Sequence, residues 1–277
     1  EELLDLLSRV TEEGWESMAE VFRVERGESP ETFFANIETR PIASASIGQV
    51  YRATMKDGRD VAVKIARPHV EDAFENDFIL AGFLGELVGI FTFIKALPIQ
   101  DVIGEFVDST RAELDFRNEA QNAHTLGQHL VFHENVIIPK PILEVSGKTV
   151  LIMEFLDNVL SAETVLRKLE TGGEDYRRML RKEGVNLEEV AYLFVIDGIR
   201  QYFIDGFFHA DPHPGNVFFL AGNKVGFFDF GLVGRASSRR LHNAKILYAL
   251  AHRDVYGASK HFLSYARETF NKELELY

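Results

Sequence analysis

The chain contains 277 residues, with 30 Lys and Arg against 43 Asp and Glu, which gives a formal net charge of −13. This length predicts one large domain or two lobes. The acidic balance argues against broad electrostatic binding of nucleic acid, because phosphate contacts need clustered Lys and Arg. The absence of cysteine excludes disulfides, zinc–thiolate sites and a cysteine nucleophile.

The first 40 residues are predicted to be helical, because Leu3, Leu4, Leu7 and Val10 recur at helical spacing. A polar connection is expected within this region, near Glu25 to Glu31. The N-terminus has neither a Met nor the basic and apolar regions of a signal peptide. We therefore expect this chain to be part of a longer protein.

A hairpin is predicted next, with strands from Gln49 to Thr54 and from Asp60 to Ile65. The Asp57-Gly58 pair between them is one that tight hairpin turns favour. The apolar run from Phe78 to Ile94 contains Glu86 and is shorter than the ~20 residues that span a bilayer, so it predicts a buried or interfacial helix.

Helical spacing returns from Asp101 to about Leu130, and a second hairpin is predicted from Pro141 to Val145 and from Thr149 to Phe155. Beyond Phe155 the chain is predicted to be mostly helical as far as His209. The elements expected after Phe155 are a long helix from Asn186 to Phe203, short strands from Val217 to Leu220 and from Val225 to Phe228, and helix from about Ser237. A strand-rich first half followed by a helical half is typical of a bilobed α+β enzyme.

A loop of small residues precedes the first strand and has the spacing G-x-G-x-x-G-x-V, with alanine at the first two glycine positions. The motif positions are occupied by Ala43, Ala45, Gly48 and Val50, and the intervening residues include Ser44 and Ser46. Small residues let backbone N–H groups approach phosphate oxygens closely. Taken alone, the loop favours an ordinary connection before a strand, because small-residue loops are common there.

Lys64 ends an apolar strand, where a lysine needs an anionic partner unless it reaches water. In phosphoryl-transfer sites that partner is a nucleotide phosphate together with a helix glutamate. Three carboxylates, Glu113, Asp115 and Glu119, follow in one predicted helix, with Asp115 and Glu119 on a shared face. A solvated acidic face is the alternative interpretation.

The strongest pattern combines H-x-D-x-x-x-x-N, from His209 to Asn216, with Asp229-Phe230-Gly231 further along the chain. Phosphoryl transfer needs a carboxylate near the nucleophile and oxygen ligands for Mg²⁺. A transition-metal site made of His209, Asp211 and His213 is an alternative. The downstream Asn216 and Asp229 favour the kinase interpretation.

In this order the four segments resemble the UbiB/ADCK atypical kinase family, which has the protein-kinase-like fold, between about Pro41 and Arg235. The resemblance implies a bilobed α+β fold. Its expected parts are an N-terminal helical extension over 1–40, a strand-rich N-lobe with extra helices over 41–155, and a helical C-lobe over 156–277. Ala210 replaces the arginine of the usual H-R-D, and no A-P-E motif follows Asp229.

The resemblance also implies roles for individual residues. Lys64 would contact the α- and β-phosphates, Glu119 would be its ion-pair partner, and Asp211 would be the catalytic-loop aspartate. Asn216 and Asp229 would hold Mg²⁺. The small-residue loop would cover ATP or ADP, and the backbone of Glu154 and Leu156 would contact its adenine. Glu113 and Asp115 match the family's own E-x-D element.

The function implied by this resemblance is that of an ATP-dependent atypical kinase or ATPase supporting isoprenoid-quinone (ubiquinone) or lipid metabolism. Its expected partners are a nucleotide, a lipid or isoprenoid-quinone precursor and a membrane surface, and not nucleic acid. Its expected location is the cytoplasmic side of a membrane, peripheral or anchored by segments outside this chain, and mitochondrial or plastid in a eukaryote. Two alternatives stay open: a small-molecule phosphotransferase of the aminoglycoside/choline-kinase type, and a non-catalytic nucleotide-binding scaffold.

Overall fold

The computed structural model describes residues 12–75, 78, 99–130, 134–236 and 240–274. The chain divides into two units. Unit 1 comprises residues 1–131, 137–159 and 227–232, and unit 2 comprises residues 132–136, 160–226 and 233–277. Each predicted site residue belongs to one of these units, and each unit is described by itself.

The first six strands in chain order are β1 (Asn36–Ile37), β2 (Ala43–Ser44), β3 (Gly48–Thr54), β4 (Asp60–Ala66), β5 (Val136–Ile137) and β6 (Val150–Glu154). Unit 1 is built on an antiparallel sheet in the order β1-β3-β4-β6, with β2 also paired to β3 and with β5 outside the sheet. The β3–β4 hairpin confirms the prediction. Its turn contains Gly58 at φ 89°, a backbone conformation that glycine adopts without steric penalty.

Among the described residues of unit 1, the helices that accompany this sheet are α1 (Trp15–Arg26), α2 (Pro30–Phe33), α3 (Ile99–Glu113) and α4 (Phe116–His129). One face of the sheet packs against α1, because alternate residues of β4, Val61, Val63 and Ile65, are buried in one cluster with Met18 and Phe22. This cluster forms the larger part of the core of unit 1.

The opposite face of the sheet packs against α4. Phe116 and Ala120 of this helix form a second buried cluster with Ala66 of β4 and Leu151 of β6. Successive strand residues point to opposite faces, so Lys64 lies on the face that α4 covers. The alternation of β4 thus directs apolar side chains to α1 and the lysine towards α4.

Two local predictions in unit 1 were wrong. The segment from Pro141 to Val145 is not a strand, because only Pro141 bridges Met153 and the following residues turn back onto β6. The first 40 residues are not helical throughout, since Asn36–Ile37 pairs with β3 as β1. Each segment pairs with a longer neighbouring strand: Asn36–Ile37 with β3, and Pro141 with Met153 of β6.

The predicted single helix across Glu113, Asp115 and Glu119 is also corrected. α3 ends at Glu113, and Asp115 has extended backbone (φ −103°, ψ 97°) as the N-cap of α4. Its carboxylate accepts the backbone N–H of Arg117, as aspartate at an N-cap commonly does. Asp115 and Glu119 therefore do not share a helical face.

Unit 2 begins with β7 (Leu160–Ser161), α5 (Ala162–Lys182) and α6 (Leu187–Arg200). The helix predicted to reach Phe203 ends as α6 at Arg200 and continues as a π-helical turn, Gln201–Asp205, closed by Gly206 at φ 70°. The remaining elements are β8 (Phe207–His209), β9 (Val217–Leu220), β10 (Lys224–Phe227), β11 (Val233–Arg235), α7 (Arg240–Ala251) and α8 (Val255–Leu274). β11 pairs antiparallel with β8, a pairing that the sequence did not predict.

The apolar run predicted from Phe78 to Ile94 lies, apart from Phe78, outside the described residues, as do residues 1–11. Within the part of the chain that the structure describes, no helix combines the length and the apolar character needed to cross a bilayer.

The N-cap of α4 gives a stability prediction. Asp115→Ala removes the acceptor for the Arg117 N–H and should lower the free energy of unfolding by about 1 kcal/mol. For a chain of this size that is a melting temperature roughly 2–4 °C lower in calorimetry. Asp115→Asn keeps a capping acceptor, so its melting temperature should lie between those of the wild type and Asp115→Ala. Equal melting temperatures for the wild type and Asp115→Ala would contradict the cap.

The same residue predicts a pH dependence. The hydrogen bond from the Arg117 guanidinium holds the pKa of the Asp115 carboxyl below its usual value. A carboxyl whose folded-state pKa is lowered stabilises the protein above its unfolded pKa of about 3.9, and this contribution disappears as the pH falls through the folded value. The difference between the wild type and Asp115→Asn should therefore be present at pH 6 and shrink at lower pH.

Candidate functional site

The centre of the candidate site in unit 1 is an ion pair between Lys64 on β4 and Glu119 on α4. Lys64 Nζ lies 2.7 Å from Glu119 Oε2, and the side chains are 13% and 3% exposed. The ring of Phe116 lies 5.0 Å from the same ammonium. The packing of α4 against the sheet thus brings together two charges that are far apart in the sequence.

The ionisation of this pair is set by burial and by its neighbours. Burial alone would lower the pKa of Lys64, but the carboxylates of Glu119 and Asp229 outweigh burial and raise that pKa above its usual value. Burial pushes the pKa of the Glu119 carboxyl upward, against the attraction of Lys64. At a separation of 2.7 Å, and with a second carboxylate nearby, the lysine stays protonated at neutral pH.

Asp229 completes this cluster, with its Oδ1 3.8 Å from Lys64 Nζ and its side chain 47% exposed. Its φ of 55° is unusual for a residue with a side chain, and such conformations concentrate at functional sites. The same carboxylate oxygen accepts the backbone N–H of Gly231 at 3.2 Å. The carboxylate is therefore held near the lysine while part of it stays open to solvent.

Helix α4 also holds the segment that carries Asp229. Asn122 Nδ2 donates to the Phe230 carbonyl at 2.9 Å, and the Phe230 N–H donates to the Glu119 carboxylate. Phe230 itself is fully buried. One helix consequently positions both the partner of Lys64 and the backbone next to Asp229.

The small-residue loop lies beside this cluster in unit 1. Ala43 of β2 lies opposite Val50 of β3, and Val50 lies opposite Lys64 of β4. The Ala45 N–H donates to the Gly48 carbonyl at 2.8 Å, and a Cβ on Gly48 would approach the Ile65 carbonyl oxygen to 2.5 Å. Gly48 is therefore required by close approach of two backbones, a reason that the motif spacing alone does not give.

Glu154 and Leu156 lie at the end of β6 and just beyond it. The Glu154 N–H donates to the Lys140 carbonyl at 2.9 Å, and Glu154 is opposite Val61 in the strand register. Leu156 is half-buried and outside regular structure. Their role in contacting adenine stays a prediction.

Unit 2 contains the predicted H-x-D-x-x-x-x-N segment, which begins at His209, the last residue of β8. The Asp211 N–H donates to His209 Nδ1 at 3.2 Å, and Asn216 Nδ2 donates to the Asp211 carbonyl at 3.1 Å. The Asp211 carboxylate is exposed, whereas His209 is buried. The segment is thus tied internally by hydrogen bonds that leave the aspartate side chain accessible.

Two residues that orient this segment were missed by the sequence analysis. Gln201 Oε1 accepts the His209 N–H at 2.9 Å, and Gln201 Nε2 donates to Asp197 Oδ2 at 2.6 Å. Both side chains are buried. The available signal was a pair of polar residues four positions apart in the largely apolar stretch from Ala191 to Phe203, since buried polar groups are nearly always hydrogen-bonded.

The predicted metal ligands supply oxygen donors from separate units. Asp229 offers a half-exposed carboxylate in unit 1, and Asn216, whose Nδ2 is engaged, offers its amide oxygen in unit 2. Carboxylate and amide oxygens are the hard ligands that Mg²⁺ prefers, commonly together with substrate phosphates, so this donor chemistry fits the ion. Among the described residues, no group of three or more His, Asp or Glu side chains could by itself hold a metal.

An apolar cavity of about 460 Å³ lies within unit 2. Its walls come from α5, α6 and β9, with Val165, Val190 and Phe219 among them, and its charged lining residues are Arg177 and Glu188. Pro212 and Pro214, which lie on either side of His213 in the Asp211 segment, also line it. A lining of this kind suits an apolar group of a small molecule.

Comparison with known proteins finds similar sequences and a similar fold. The sequence model of the family described as the ABC1 atypical kinase-like domain matches residues 5–262. The chain is 31% identical over 263 residues to a probable protein kinase UbiB of Xylella fastidiosa, covering 92% of this chain and 45% of that protein. It is 31% identical over 206 residues to the chloroplastic protein ACTIVITY OF BC1 COMPLEX KINASE 3 of Arabidopsis thaliana, covering 74% and 27%.

A solved structure from Mycobacterium tuberculosis, a protein in complex with erythromycin, is similar to this chain with a TM-score of 0.69 and 25% identity. The similarity covers 94% of this chain and 62% of that one. These findings confirm the kinase-like α+β fold and the family resemblance predicted from the motifs. The chain spans about half or less of the length of the two curated relatives named above.

The ion pair predicts strong energetic coupling between Lys64 and Glu119. Lys64→Met leaves a buried carboxylate without its cation and should cost about 3–5 kcal/mol in urea denaturation without nucleotide. Combining it with Glu119→Gln should recover part of that loss, with a coupling energy of about 0.5–3 kcal/mol.

The exposed pair Arg52–Asp60 on the same sheet is the matched control, because its oxygen and nitrogen lie 2.8 Å apart with the side chains 35% and 40% exposed. Solvent screening should reduce its coupling to about 0.2–1 kcal/mol. Strictly additive effects of Lys64→Met and Glu119→Gln would show that the two charges do not interact.

Proposed function

This chain belongs to the family of ABC1 atypical kinase-like domains, and on that premise we propose that it binds ATP or ADP with Mg²⁺ and transfers the terminal phosphate of ATP to an acceptor or to water. The observation that carries the proposal is the cluster of Lys64, Glu119 and Asp229 in unit 1. A buried, charged lysine held by one carboxylate and facing a second, half-exposed one has the composition that phosphoryl transfer requires.

Lys64 acts as the phosphate-binding cation. Its ammonium is held by Glu119, which fixes its position and keeps it charged, so a nucleotide phosphate would meet a preformed positive group. Asp229 would hold Mg²⁺ through its half-exposed carboxylate, and the bound ion would neutralise phosphate charge. The role of Asn216 in unit 2 as a second ligand stays a prediction. The loop from Ala43 to Val50 would cover the phosphates with its backbone.

Asp211 is proposed to orient the nucleophile. Its exposed carboxylate is carried by a segment that His209 and Asn216 stabilise through hydrogen bonds. There it would accept the proton from the acceptor hydroxyl or water as that oxygen bonds to the γ-phosphorus and ADP leaves.

The first test is nucleotide binding by Asp229→Asn. Asparagine tolerates positive φ, so the backbone at this position should persist while the carboxylate is lost. A ligand at 100 times its dissociation constant stabilises a protein by about 2.7 kcal/mol. In a thermal-shift assay, we expect Mg-ATP to raise the melting temperature of wild type by the amount that corresponds to this stabilisation. The rise for Asp229→Asn should be less than about half as large.

Asp57→Asn in the β3–β4 turn is the matched control, since Asp57 is an exposed aspartate of unit 1 outside the cluster. It should respond to Mg-ATP as wild type does. A folded Asp229→Asn variant with the wild-type, magnesium-dependent shift would remove Asp229 from the proposed site. A wild type without any shift would overturn nucleotide binding itself.

For the acceptor we propose an amphiphilic alcohol with a hydrocarbon tail, such as a lipid or isoprenoid-quinone precursor, met at a membrane surface. The apolar cavity of unit 2 supports this substrate class, because Pro212 and Pro214 place one of its walls in the same segment as Asp211. An apolar cavity of 150 Å³ takes a benzene-sized molecule, so about 460 Å³ suffices for a tail of several such units.

Filling the cavity tests this acceptor class. Val165→Phe should raise the KM for a long-chain alcohol acceptor roughly tenfold, since burying one Leu-sized group is worth about 1.5–3 kcal/mol and each 1.4 kcal/mol is a factor of ten. Hydrolysis of ATP by water should be unchanged. Labelled phosphate from Mg-ATP, separated into lipid and inorganic fractions, measures both reactions.

Val195→Phe is the control, because Val195 lies on α6 and is 55% exposed. Ala191→Phe, another substitution in the cavity wall, guards against local misfolding by Val165→Phe. Unchanged KM values in both wall variants would reject a hydrocarbon tail in this cavity. Transfer to polar small molecules would favour the aminoglycoside/choline-kinase alternative, and binding without turnover would favour the scaffold.

A further inference from the structure

Arg67 is the residue that fastens the small-residue loop to the sheet of unit 1. It follows β4 directly, and its side chain is only 10% exposed. Its Nε donates to the Ala45 carbonyl at 3.0 Å, and its Nη2 donates to Ser44 Oγ at 2.8 Å. Its backbone N–H donates to the Ile47 carbonyl at 2.8 Å. One residue therefore contacts the loop at three positions.

Packing alone does not hold this loop. The side chains of Ala43, Ser44, Ala45 and Ser46 are small and exposed, so they bury little apolar surface. The loop position depends mainly on hydrogen bonds, and those donated by a charged group are stronger than those between neutral groups. The guanidinium of Arg67 supplies two of them.

The guanidinium is itself oriented by the chain that precedes α1. Glu13 Oε1 lies 3.5 Å from Arg67 Nη1. The backbone of Glu13 is fixed by the buried side chain of Gln49, whose Oε1 accepts the Glu13 N–H at 2.7 Å and whose Nε2 donates to the Glu13 carbonyl at 3.4 Å. The hydrogen bonds of Gln49 thus hold the backbone of Glu13 where its carboxylate contacts Arg67.

This geometry requires an arginine. A carbonyl, a hydroxyl and a carboxylate are contacted by three different nitrogens of one planar fork, and the donors of the fork point in fixed directions. The ammonium of a lysine is a single point charge and cannot reach all three acceptors together.

We propose that Arg67 is a positioning residue for the nucleotide loop, and that Glu13 sets the orientation of its guanidinium. This inference rests on the proposed function and adds to it a residue outside the phosphate-binding motif. Held in this way, the loop does not have to be ordered when nucleotide arrives, which improves affinity. The segment that precedes α1 is thereby coupled to the loop.

The experiment combines hydrogen exchange and nucleotide affinity on the full chain. In Arg67→Lys we expect faster exchange of the backbone amides between residues 42 and 48 without nucleotide, with exchange in α1 and β6 unchanged. The dissociation constant for Mg-ATP should rise roughly tenfold, about the effect of one charge-assisted hydrogen bond. Glu13→Gln should change both quantities in the same direction, by less.

Two further variants make the result specific. Ser44→Ala removes one acceptor and should speed exchange only in the loop. Arg52→Lys on β3 replaces another arginine of the sheet, one that pairs with Asp60, and should leave both measurements at wild-type values. The effect of Arg67→Lys should shrink in the Glu13→Gln background, because the two changes act on one contact.

Each outcome decides the matter. Loop exchange and affinity at wild-type values in Arg67→Lys would overturn the proposal. So would faster exchange throughout unit 1, which would make Arg67 a general stabilising residue. If wild type failed to bind Mg-ATP, nucleotide binding would be wrong, and exchange alone would then decide whether Arg67 holds the loop.

Discussion

The buried ion pair between Lys64 and Glu119 is the interaction on which unit 1 depends. A charge removed from water is stable only beside an opposite charge at close range, so neither side chain tolerates this position without the other. The sheet and α4 must therefore pack in one register. Phe116 and Ala120 secure that register from the apolar side, because they bury the same helix face against Ala66 and Leu151.

Helix α4 connects most of the candidate site within unit 1. It begins at the Asp115 cap, places Glu119 against Lys64, and holds the Phe230 backbone through Asn122. Asp229, the residue before Phe230, adopts positive φ, a conformation that persists only where surrounding contacts impose it. The helix thus links a structural core to a carboxylate that stays half open to solvent.

Sequence patterns predicted the elements whose signals are local. Alternating residues around Asp57-Gly58 predicted the β3–β4 hairpin, and the order of the motifs predicted the family and the fold. The two failures among the strands of unit 1 were of opposite kinds. The strand predicted from Pro141 to Val145 is reduced to a single bridge at Pro141. The strand Asn36–Ile37 was not predicted, because two residues carry no periodic signal and the strand exists through its pairing with the longer β3. Asp115 was placed in a helix because spacing does not reveal where one helix stops and the next begins.

The residue types of the candidate site were readable without a structure: a lysine in an apolar strand, carboxylates in a helical region, and an aspartate, an asparagine and a D-F-G segment in order. Their chemistry limits the function to a few classes, since motif chemistry resides in side-chain identity. The family resemblance named Glu119 as the partner of Lys64. The packed fold was needed to show that this pair is buried with Asp229 nearby, and that Arg67 reaches the loop from the end of β4. Ion pairs and hydrogen bonds act over a few ångströms, and residues distant in the sequence come within that range only when the sheet and its helices pack together.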